Sequence, residues 1–538
     1  MNFVTEILLI SQFIFTVIAG MYFFNCLKQQ NGGKSSVKIN CQKEVSKLTD
    51  LRSIKLSKPL SEQTRPEDFS EIVGQEQGIK ALKAALCGSN PQHIIIYGPP
   101  GVGKTAAARI ALEEAKKSKN TPFRKNAPFI EVDATILQFD ERSIADPLMG
   151  SVHDPIYQGA GAYGSAGIPQ PKMGAVTKAH GGVLFIDEIG ELHSVQMNKL
   201  LKVLEDRKVF LTSSYYSEDD TNIPNYIHDI FKNGLPADFR LIGATTRLPE
   251  EIPQALRSRC TEIYFKRLTP ECVSEIAINS CRRAGVDYEN NIDKIVSKYS
   301  ANGRDTVNII QTAVSIASFE ERKNIMLKDI EEVVEMGKYA PVIDIKAKYE
   351  NISGLVYGLA VYGASNGTII EIETLAEPAE NKGNGIFKVT GIVEEEEIRS
   401  KNGVMIRKSA AKSSVENVLT VIKNITKIDC KDYNIHVNFP GGMPVDGPSA
   451  GIAIFCSIYS AITKKNIRPL MAMTGEIGIK GGVKPVGGVS DKIEAAVRSG
   501  IKTVIIPAEN WQSVYEKYNI NICKAEKIED VIECAFSA

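Results

Sequence analysis

Three groups of residues in this 538-residue chain have types and spacings that could perform chemistry. The first is Gly98-x4-Gly103-Lys104-Thr105, the pattern of a phosphate-binding loop (P-loop). Its glycines let backbone N–H groups surround a phosphate at a helix N-terminus, while Lys104 reaches the β and γ phosphates and Thr105 ligates Mg²⁺. The predicted nucleotide contacts in this loop are Gly98, Pro99, Pro100, Gly101, Val102, Gly103, Lys104 and Thr105. The chain is therefore expected to bind a nucleoside triphosphate.

Asp187 and Glu188 form the second group, at the end of the apolar run Val183–Ile186. The terminal side chains of a strand buried in a parallel sheet lie at its carboxyl edge, next to the P-loop. We expect Asp187 to hold Mg²⁺, directly or through water, and Glu188 to polarise the attacking water. An isolated Asp-Glu pair is a weak signal, but it becomes a strong one downstream of a P-loop.

Ser449 belongs to the third group and lies in a turn of small residues, Phe439–Gly451, before the helix-like run Ile452–Ala461. Backbone N–H groups at a helix start can hold an oxyanion, which would suit a nucleophilic serine. On its own, a serine in this position is more often a helix cap. The serine therefore needs a base before it indicates catalysis.

Two kinds of base are open to Ser449. No histidine follows His436, so a Ser-His-Asp triad would need His436 or a histidine further upstream. Lysine serves instead in Ser-Lys variants, and Lys492 opens an amphipathic run that ends near Gly500. For Lys492 to act as a base near neutral pH, the pKa of its amine must fall by about three units, which corresponds to roughly 4 kcal/mol of destabilisation of the charged form. Such a shift requires an apolar pocket.

Alternating strands and helices would position the first two groups. The P-loop follows the strand-like run Ile94–Tyr97 and precedes the helix-forming segment Ala106–Glu113. Phe129–Asp133, Val183–Asp187 and Arg240–Ala244 are further predicted strands. This alternation predicts an α/β domain with a parallel sheet.

From about Asn351 the pattern changes to short alternating runs separated by Gly and Asn. They include Val356–Tyr362, Gly367–Glu373 and Phe387–Val393. Such runs predict a separate, strand-rich domain that carries Ser449.

The N-terminal run Ile7–Leu27 is uncharged and long enough to cross a bilayer as one helix, with Tyr22–Phe24 where an aromatic belt would lie. A cleaved signal peptide is less consistent with the sequence, because it usually has basic residues before its apolar run, whereas the lysines here follow the run. By the positive-inside rule, lysines after the run predict that the rest of the chain lies in the cytoplasm. A buried soluble helix remains the alternative. Residues 28–65 are polar and basic and are predicted to form a linker.

Composition excludes little beyond this. Lys plus Arg and Asp plus Glu are both 64, so the net charge gives no indication of a nucleic-acid partner. The ten cysteines contain no CxxC pair, which is typical of reduced cytosolic thiols rather than a disulfide framework. No HExxH pattern occurs, which argues against a zinc enzyme.

The segments after the second group resemble the AAA+ ATPases. The resemblance rests on Arg240–Thr246 and on Ala255-Leu-Arg-Ser-Arg-Cys260. It implies Thr246 as the sensor of the γ-phosphate, Arg259 as the arginine finger with Arg257 as the alternative, and Arg304 as the second sensor in a helical lid. A finger that acts on a neighbouring subunit requires a closed ring.

The C-terminal motifs resemble the Lon protease family. They are Pro-Val-Asp-Gly-Pro-Ser449-Ala-Gly, Thr474-Gly-Glu-Ile and Gly-Gly-Val-x-x-Lys492. The resemblance implies Ser449 as the nucleophile and Lys492 as the general base. The chain lacks the large N-terminal substrate domain of the long Lon proteins. It also lacks the apolar insertion of the archaeal membrane-bound forms between Thr105 and Val183, so it is most similar to the short LonB type of spore-forming bacteria.

These features predict an AAA+ P-loop ATPase of the α/β class, with a parallel sheet and a helical lid, followed by an α+β Lon-type protease domain. The predicted boundaries are 1–27 for a transmembrane anchor, 28–65 for the linker, 66–267 for the ATPase subdomain, 268–345 for the lid and 350–538 for the protease domain. With ATP and Mg²⁺, a hexameric ring at the cytoplasmic face of a cell membrane would unfold, translocate and degrade proteins. Tyr157 and Tyr163, in a glycine-rich loop, are candidates for gripping the translocated chain, unless they pack on the ring.

Two other functions stay open at this point. The segment Leu241–Arg247 and the sequence Leu-Arg-Ser-Arg-Cys260 also resemble those of branch-migration motors and clamp loaders, which act on nucleic acids. No nucleic-acid partner is expected, because the chain is neutral, carries a predicted membrane anchor and has a C-terminal domain without a basic stripe. Alternatively, the C-terminal domain only scaffolds a remodelling ATPase.

Overall fold

The computed structural model describes residues 12–24, 49, 51, 53, 59–137, 146–153, 170–213, 216–219, 223–342, 345–349, 352–362, 366–391, 395–400, 403–408, 410–440 and 447–536. The chain forms two units, Met1–Gln63 and Thr64–Ala538. The larger unit contains the predicted nucleotide site and the predicted proteolytic site.

The predicted membrane span is only partly described. Residues 12–24 are helical, and Phe13, Phe15 and Phe24 are each more than two-thirds exposed. The remainder of the span and most of the predicted linker lie outside the described residues. In the part of the chain that the structure describes, no helix is both long enough and apolar enough to cross a membrane. A short helix, Leu60–Gln63, ends the smaller unit.

A five-stranded parallel sheet forms the centre of the nucleotide-binding part. The strands of this part and of the lid are β1 (His93–Tyr97), β2 (Phe129–Asp133), β3 (Gly150–His153), β4 (Gln170–Met173), β5 (Val183–Asp187), β6 (Lys208–Val209), β7 (Leu235–Pro236), β8 (Arg240–Thr245), β9 (Cys260–Tyr264), β10 (Asp287–Tyr288) and β11 (Asn324–Ile325). The main sheet has the order β2-β5-β8-β1-β9, and every neighbouring pair in it is parallel. The predicted parallel α/β sheet is therefore confirmed.

Helices cover this sheet because its central strands are apolar on both faces. Ile94, Ile95, Ile96 and Tyr97 have no exposed surface, as expected for a strand buried inside a parallel sheet. The helices are α1 (Glu76–Leu86), α2 (Lys104–Lys117), α3 (Ala175–Lys178), α4 (Ser194–Asp206), α5 (Asn225–Asn233) and α6 (Gln254–Arg257). The P-loop thus joins a buried strand to the start of a helix.

The region predicted as a lid is helical. Its helices are α7 (Pro270–Ala284), α8 (Ile292–Tyr299), α9 (Gly303–Phe319) and α10 (Leu327–Met336). The start of α7 is fixed by Thr269, whose hydroxyl accepts a hydrogen bond from Cys272 N, and by Pro270 in the first turn. The side chain of Asn302 caps α9 in the same way, accepting from Asp305 N at 2.8 Å.

The glycine-rich segment between β2 and β5 contains an antiparallel hairpin. Strands β3 and β4 pair from Gly150 opposite Met173 to His153 opposite Gln170. Residues 154–169 between them lie outside the described residues. Tyr157 and Tyr163, the predicted chain-gripping residues, are among these.

A second, seven-stranded sheet organises the C-terminal part. The strands here are β12 (Leu355–Tyr362), β13 (Asn366–Pro378), β14 (Phe387–Thr390), β15 (Glu395–Ser400), β16 (Gly403–Lys408), β17 (Tyr433–Asn438), β18 (Met471–Met473), β19 (Glu476–Ile477), β20 (Val483–Lys484), β21 (Thr503–Pro507) and β22 (Asn521–Ala525). The order in the large sheet is β14-β17-β13-β12-β18-β21-β22. It is mixed, since β13 is antiparallel to both neighbours and the other pairs are parallel.

One nearly fully buried helix occupies the core of this part. The helices are α11 (Ala410–Val421), α12 (Gly451–Thr463), α13 (Val489–Arg498) and α14 (Ile528–Phe536). Helix α12 packs on β12 and β13 and is covered by α11 and α14, so Phe455, Cys456 and Ile458 have no exposed surface. Ser449 lies in the turn directly before this buried helix.

One cysteine pair departs from the sequence-based expectation of reduced thiols. Cys523 of β22 and Cys534 of α14 are joined as a disulfide. The strand and the helix pack together and bring the two sulfurs into contact, although their separation of 11 residues matches no disulfide signature. Among the other described cysteines, Cys281 and Cys456 are buried free thiols.

Candidate active sites

The P-loop backbone turns at three glycines. Gly98, Gly101 and Gly103 have φ angles of 152°, 72° and 92°, which favour glycine. A Cβ atom on Gly98 would lie 2.5 Å from the carbonyl oxygen of Phe265, and one on Gly101 would lie 2.9 Å from Asn302 Oδ1. The glycines of the predicted motif are thus required both by backbone conformation and by close packing.

Lys104 is held over the loop's own carbonyl groups. Its Nζ donates to Gly98 O at 2.6 Å and to Pro99 O at 3.0 Å, and only 7% of the residue is exposed. Burial lowers the pKa of this amine, while the carboxylates of Glu188 and Asp187 act in the opposite direction. The Lys104 side chain is therefore buried at the position where the motif predicts that phosphate binds.

Glu188 and Thr246 are brought together at the edge of the sheet. Asp187 ends β5, and Glu188 follows it in the left-handed region at φ 47°, a conformation that costs a non-glycine residue about 1–3 kcal/mol and is common at functional sites. Glu188 Oε2 accepts hydrogen bonds from Thr246 N at 3.0 Å and from Thr246 Oγ1 at 3.1 Å. The predicted water-polarising carboxylate therefore contacts the predicted γ-phosphate sensor.

Asp187 lies in a less polar environment than an ordinary surface carboxyl. Its burial raises the pKa, the charge of Glu188 adds to this effect, and Lys104 opposes it. A bound cation would stabilise the ionised form of such a group. This suits the predicted role of Asp187 as a magnesium ligand.

The lid touches the P-loop at the start of α9. Gly303 N donates to Gly101 O at 2.9 Å. Arg304 is the next residue, and its positive charge contributes to lowering the pKa of Lys104. The structure thus brings the predicted second sensor close to the predicted phosphate site.

Arg259 lies at the opposite end of the sheet from the P-loop of its own chain. It precedes Cys260, which pairs with His93 at the amino end of β1, whereas the P-loop follows Tyr97 at the carboxyl end. At about 3.3 Å per residue, the strand separates these ends by roughly 13 Å. Arg259 instead pairs with Glu205 of α4 and donates to Ala255 O at 2.7 Å.

The alternative finger, Arg257, is also paired within the chain. Its Nε donates to Glu262 Oε1 at 2.6 Å, and Tyr97 and Tyr264 donate to the same carboxylate at 3.2 Å. Arg257 thus shares Glu262 with two tyrosines in a hydrogen-bonded network, whereas Arg259 contacts Glu205 and the carbonyl oxygen of Ala255. Arg259 is therefore the one that can leave its partner at the lower cost.

Ser449 lies in a 3₁₀ turn, Gly447–Ala450, that leads directly into α12. The part of its motif before Gly447 lies outside the described residues. Ser449 is 6% exposed, and its carbonyl oxygen accepts hydrogen bonds from Gly475 N at 2.8 Å and Thr474 Oγ1 at 3.2 Å. Ile452 N donates to Gly475 O at 3.1 Å, so this N–H group is not available to an oxyanion.

Lys492 is buried on the first turns of α13. The helix begins at Val489, three residues earlier than predicted, because Gly488 caps it in the left-handed conformation at φ 65°. Lys492 is 2% exposed, while its neighbours Val489 and Ile493 are 5% and 0% exposed. The apolar surroundings that the general-base hypothesis requires are therefore present.

Thr474 joins the two predicted catalytic residues. Its hydroxyl accepts a hydrogen bond from Lys492 Nζ at 3.1 Å and donates to Ser449 O, and the residue has no exposed surface. Thr474 begins one of the motifs in the sequence, but the motif alone indicated no role for this residue. A hydroxyl directly after the buried strand β18 was the signal that could have assigned one.

His436 faces away from the serine. On β17, Ile435 and Val437 point into the core that contains α12, and His436 between them is exposed on the opposite face. Its Nε2 lies 3.0 Å from Thr390 Oγ1. Because neighbouring residues on a strand face opposite sides of the sheet, His436 is excluded as a base for Ser449, and Lys492 remains the candidate.

The donor set at the P-loop fits a magnesium nucleotide. Thr105 and Asp187 offer hydroxyl and carboxylate oxygens, which Mg²⁺ prefers, and Lys104 and Arg304 supply positive charge for phosphates. Across the described ranges, no group of three or more His, Cys, Asp or Glu residues is arranged to hold a metal ion.

Two family models match different parts of the chain. The Lon protease (S16) C-terminal proteolytic domain matches residues 324–538, which include Ser449, Thr474 and Lys492. The magnesium chelatase subunit ChlI matches residues 68–219, which include the P-loop and the Asp187–Glu188 pair. The two candidate sites therefore fall within two separate matches.

The chain is also similar to whole proteins. It is 56% identical over 534 residues to Lon protease 2 of Bacillus subtilis (strain 168), covering 98% of this chain and 96% of that protein. It is 30% identical over 454 residues to the Archaeal Lon protease of Thermococcus kodakarensis, covering 77% and 67%. It is 28% identical over 417 residues to that of Pyrococcus abyssi, covering 70% and 40%.

Proposed function

This chain belongs to the Lon protease family and is an ATP-dependent serine protease, and we propose that Ser449 is its nucleophile and Lys492 its general base. The observation that carries this assignment is the buried hydrogen-bond chain from Lys492 Nζ through Thr474 Oγ1 to Ser449 O. These two hydrogen bonds connect the amine of Lys492 to the backbone of Ser449 among buried side chains. The reaction is hydrolysis of peptide bonds in protein substrates.

Thr474 would orient the lysine amine. Because its own proton is donated to Ser449 O, its oxygen accepts an N–H of Lys492. A neutral amine held in this way keeps its lone pair for another partner, the Ser449 hydroxyl. Lys492 would then take the serine proton as Ser449 Oγ attacks the scissile carbonyl, and return it to the leaving amine. Water would release the acyl group by the same steps in reverse order.

The P-loop site would supply the energy. Lys104 and Arg304 would bind the phosphates of ATP, and Thr105 and Asp187 would hold Mg²⁺, which neutralises charge on the phosphates. Glu188 would orient the attacking water, and its hydrogen bonds to Thr246 support a role for Thr246 in sensing the γ-phosphate. Loss of the γ-phosphate on hydrolysis would thus change the contacts of the Glu188 carboxylate, which follows β5.

A protease inhibitor separates this function from the nucleic-acid motor, which the family match does not favour. A peptide boronate, which reacts with an activated serine, should stop degradation of an unfolded protein while ATP hydrolysis continues. Duplex DNA should leave ATP hydrolysis unchanged. ATP hydrolysis that requires DNA and protein degradation that ignores the boronate would contradict the proposal.

We propose further that the protein works as a ring of identical subunits, hexameric in the family's manner. The separation of Arg259 from its own P-loop along β1 supports a role at a neighbouring subunit's nucleotide. Tyr157 and Tyr163, which lie outside the described residues, remain our candidates for gripping the translocated chain.

Mixed rings test the arginine finger. Arg259→Ala subunits and Lys104→Ala subunits should each lack ATPase activity, and mixing them should recover part of it. Recovery is expected because some interfaces then combine an intact finger with an intact P-loop. Subunits labelled with two fluorophores would verify mixing by energy transfer. Mixed rings without any recovery would show that Arg259 acts within its own chain or only structurally.

We also propose that residues 7–27 anchor the protein in the cell membrane, with the catalytic domains in the cytoplasm. The uncharged run followed by lysines supports this topology, as do the exposed apolar side chains of the described helical residues 12–24.

Membrane extraction tests the anchor. The full-length protein should stay with membranes through high salt and alkaline carbonate and should require detergent for release. A truncated chain that starts at Ser61 should be released without detergent and still hydrolyse ATP, because the larger unit begins at Thr64. Recovery of the full-length chain in the soluble fraction would refute the anchor.

A further inference from the structure

An ion pair connects the nucleotide-binding part to the helix that carries Lys492. Lys266 follows β9, and its Nζ lies 2.5 Å from Oε1 of Glu494. Glu494 is on α13, two residues after Lys492. The two partners are 228 residues apart in sequence, and neither belongs to a motif. Their contact therefore connects the loop beside the P-loop with the helix that carries Lys492.

On the nucleotide side, Lys266 is rigidly placed beside the P-loop. Gln75, which is 2% exposed, donates from Nε2 to Lys266 O at 2.8 Å and accepts from Lys266 N at 2.9 Å. The preceding residue, Phe265, donates its N–H to Tyr97 O at 2.7 Å, and its carbonyl packs directly against Gly98. Any displacement of the P-loop at Gly98 therefore acts on the backbone that carries Lys266.

On the proteolytic side, Glu494 has a second partner. The same oxygen, Oε1, accepts a hydrogen bond from Tyr518 OH at 2.6 Å. Ile493, which lies between Lys492 and Glu494, is fully buried in the core of the domain. We therefore expect a displacement of Glu494 to move α13 as a rigid helix. Asp491 on the same turn is also within the electrostatic influence of Lys266, which opposes the rise of its pKa caused by burial.

We propose that Lys266 and Glu494 are positioning residues that couple the nucleotide state of the P-loop to the placement of Lys492. Phosphate oxygens compete with the carbonyls of Gly98 and Pro99 for the Lys104 ammonium. ATP binding thereby frees the loop segment that packs on Phe265, and the ion pair transmits the change to α13. The side chains of Lys266 and Glu494 are 39% and 25% exposed, so solvent screens the ion pair and it contributes little to the free energy of unfolding. We therefore assign its effect to geometry.

The inference rests on the proposed catalytic role of Lys492, and a short fluorogenic peptide that needs no unfolding tests it. The quantity measured is the ratio of peptide cleavage with ATP to cleavage without nucleotide, alongside ATP hydrolysis. In Lys266→Met, we expect this ratio to fall to about one, while ATP hydrolysis and nucleotide-free cleavage stay within about twofold of wild type. Tyr518 still holds Glu494 in this variant, so the protease domain keeps its structure.

Matched variants distinguish coupling from a structural role. Lys266→Arg, which retains the ion pair, and Tyr518→Phe, which removes the other donor to the same oxygen, should both keep the wild-type ratio. Glu494→Gln should lower the ratio, and the double variant Lys266→Met/Glu494→Gln should be no worse than the stronger single variant, because both act through one contact.

Several results would overturn the coupling without touching the proposed function. They are an unchanged ratio in Lys266→Met, additive effects in the double variant, wild-type peptide cleavage that ATP does not stimulate, or loss of ATP hydrolysis in both single variants. Absence of any peptide cleavage by the wild-type protein would instead contradict the catalytic assignment itself.

Discussion

Ser449→Ala is expected to reduce cleavage of a fluorogenic peptide by at least about three orders of magnitude. Basal ATP hydrolysis should stay within about twofold of wild type, because the serine and the P-loop lie in parts of the chain that are built around separate sheets. The alanine removes the attacking oxygen but leaves Ser449 O in place, so the hydrogen bonds from Thr474 and Gly475 persist. Both activities are measured on the same preparation, and the retained ATPase serves as the control for folding.

Lys492→Arg should be as inactive toward the peptide as Lys492→Ala. Guanidinium keeps the positive charge but cannot release its proton near neutral pH, and its planar fork does not fit a pocket shaped for an amine. The same mechanism predicts that wild-type peptide cleavage rises with pH as the amine of Lys492 loses its proton. Substantial peptide cleavage by the arginine variant would show that another residue takes the serine proton.

Glu188→Gln is expected to bind ATP and to hydrolyse it about 10²- to 10⁴-fold more slowly. The amide cannot polarise water as the carboxylate does, yet its oxygen can still accept the hydrogen bonds from Thr246 N and Oγ1. Retained ATP binding, measured with a fluorescent analogue, separates this effect from misfolding. Lys104→Ala provides the contrast, since it should lose nucleotide binding itself.

Hydrolysis by Glu188→Gln at the wild-type rate would remove Glu188 from the mechanism. The strained φ of Glu188 and its hydrogen bonds to Thr246 would then have only a structural meaning. Normal ATP binding by Lys104→Ala would likewise remove the lysine from the phosphate site.

Local sequence was sufficient wherever one segment carried the whole signal. The P-loop lies between a buried strand and a helix, as the apolar run Ile94–Tyr97 and the alanine-rich segment after Thr105 predict. Strands β2 and β5 have the predicted bounds, Phe129–Asp133 and Val183–Asp187. The runs of β1 and β5 are short, continuous and strongly apolar. Strand β2 contains two acidic residues among its five and none that is buried, so its pattern is weaker, yet its bounds agree with the prediction.

Relations between distant segments were not visible in the sequence. The exclusion of His436 depends on which face of β17 packs on α12, and this requires the register of the whole sheet. The position of Arg259 at the far end of the sheet depends on the pairing of β9 with β1. Thr474 stood in a recognised motif, but its two hydrogen bonds needed the three-dimensional arrangement of β18, α12 and α13.

The Lys266–Glu494 contact shows the same limit most clearly. Neither residue lies in a motif, and each alone is typical of a solvated surface charge. Only the packing of the loop after β9 against α13 makes them a pair. The cysteine pair of β22 and α14 was missed for the same reason.

Degradation of casein with and without ATP tests the central claim most directly, because it requires both sites to work together in one protein. Wild-type protein with ATP and Mg²⁺ should degrade casein, and omission of ATP should stop degradation. Glu188→Gln and Ser449→Ala should each be inactive in this assay, the first for lack of hydrolysis and the second for lack of a nucleophile. Degradation that proceeds equally well without ATP, or that persists in Ser449→Ala, would contradict the account.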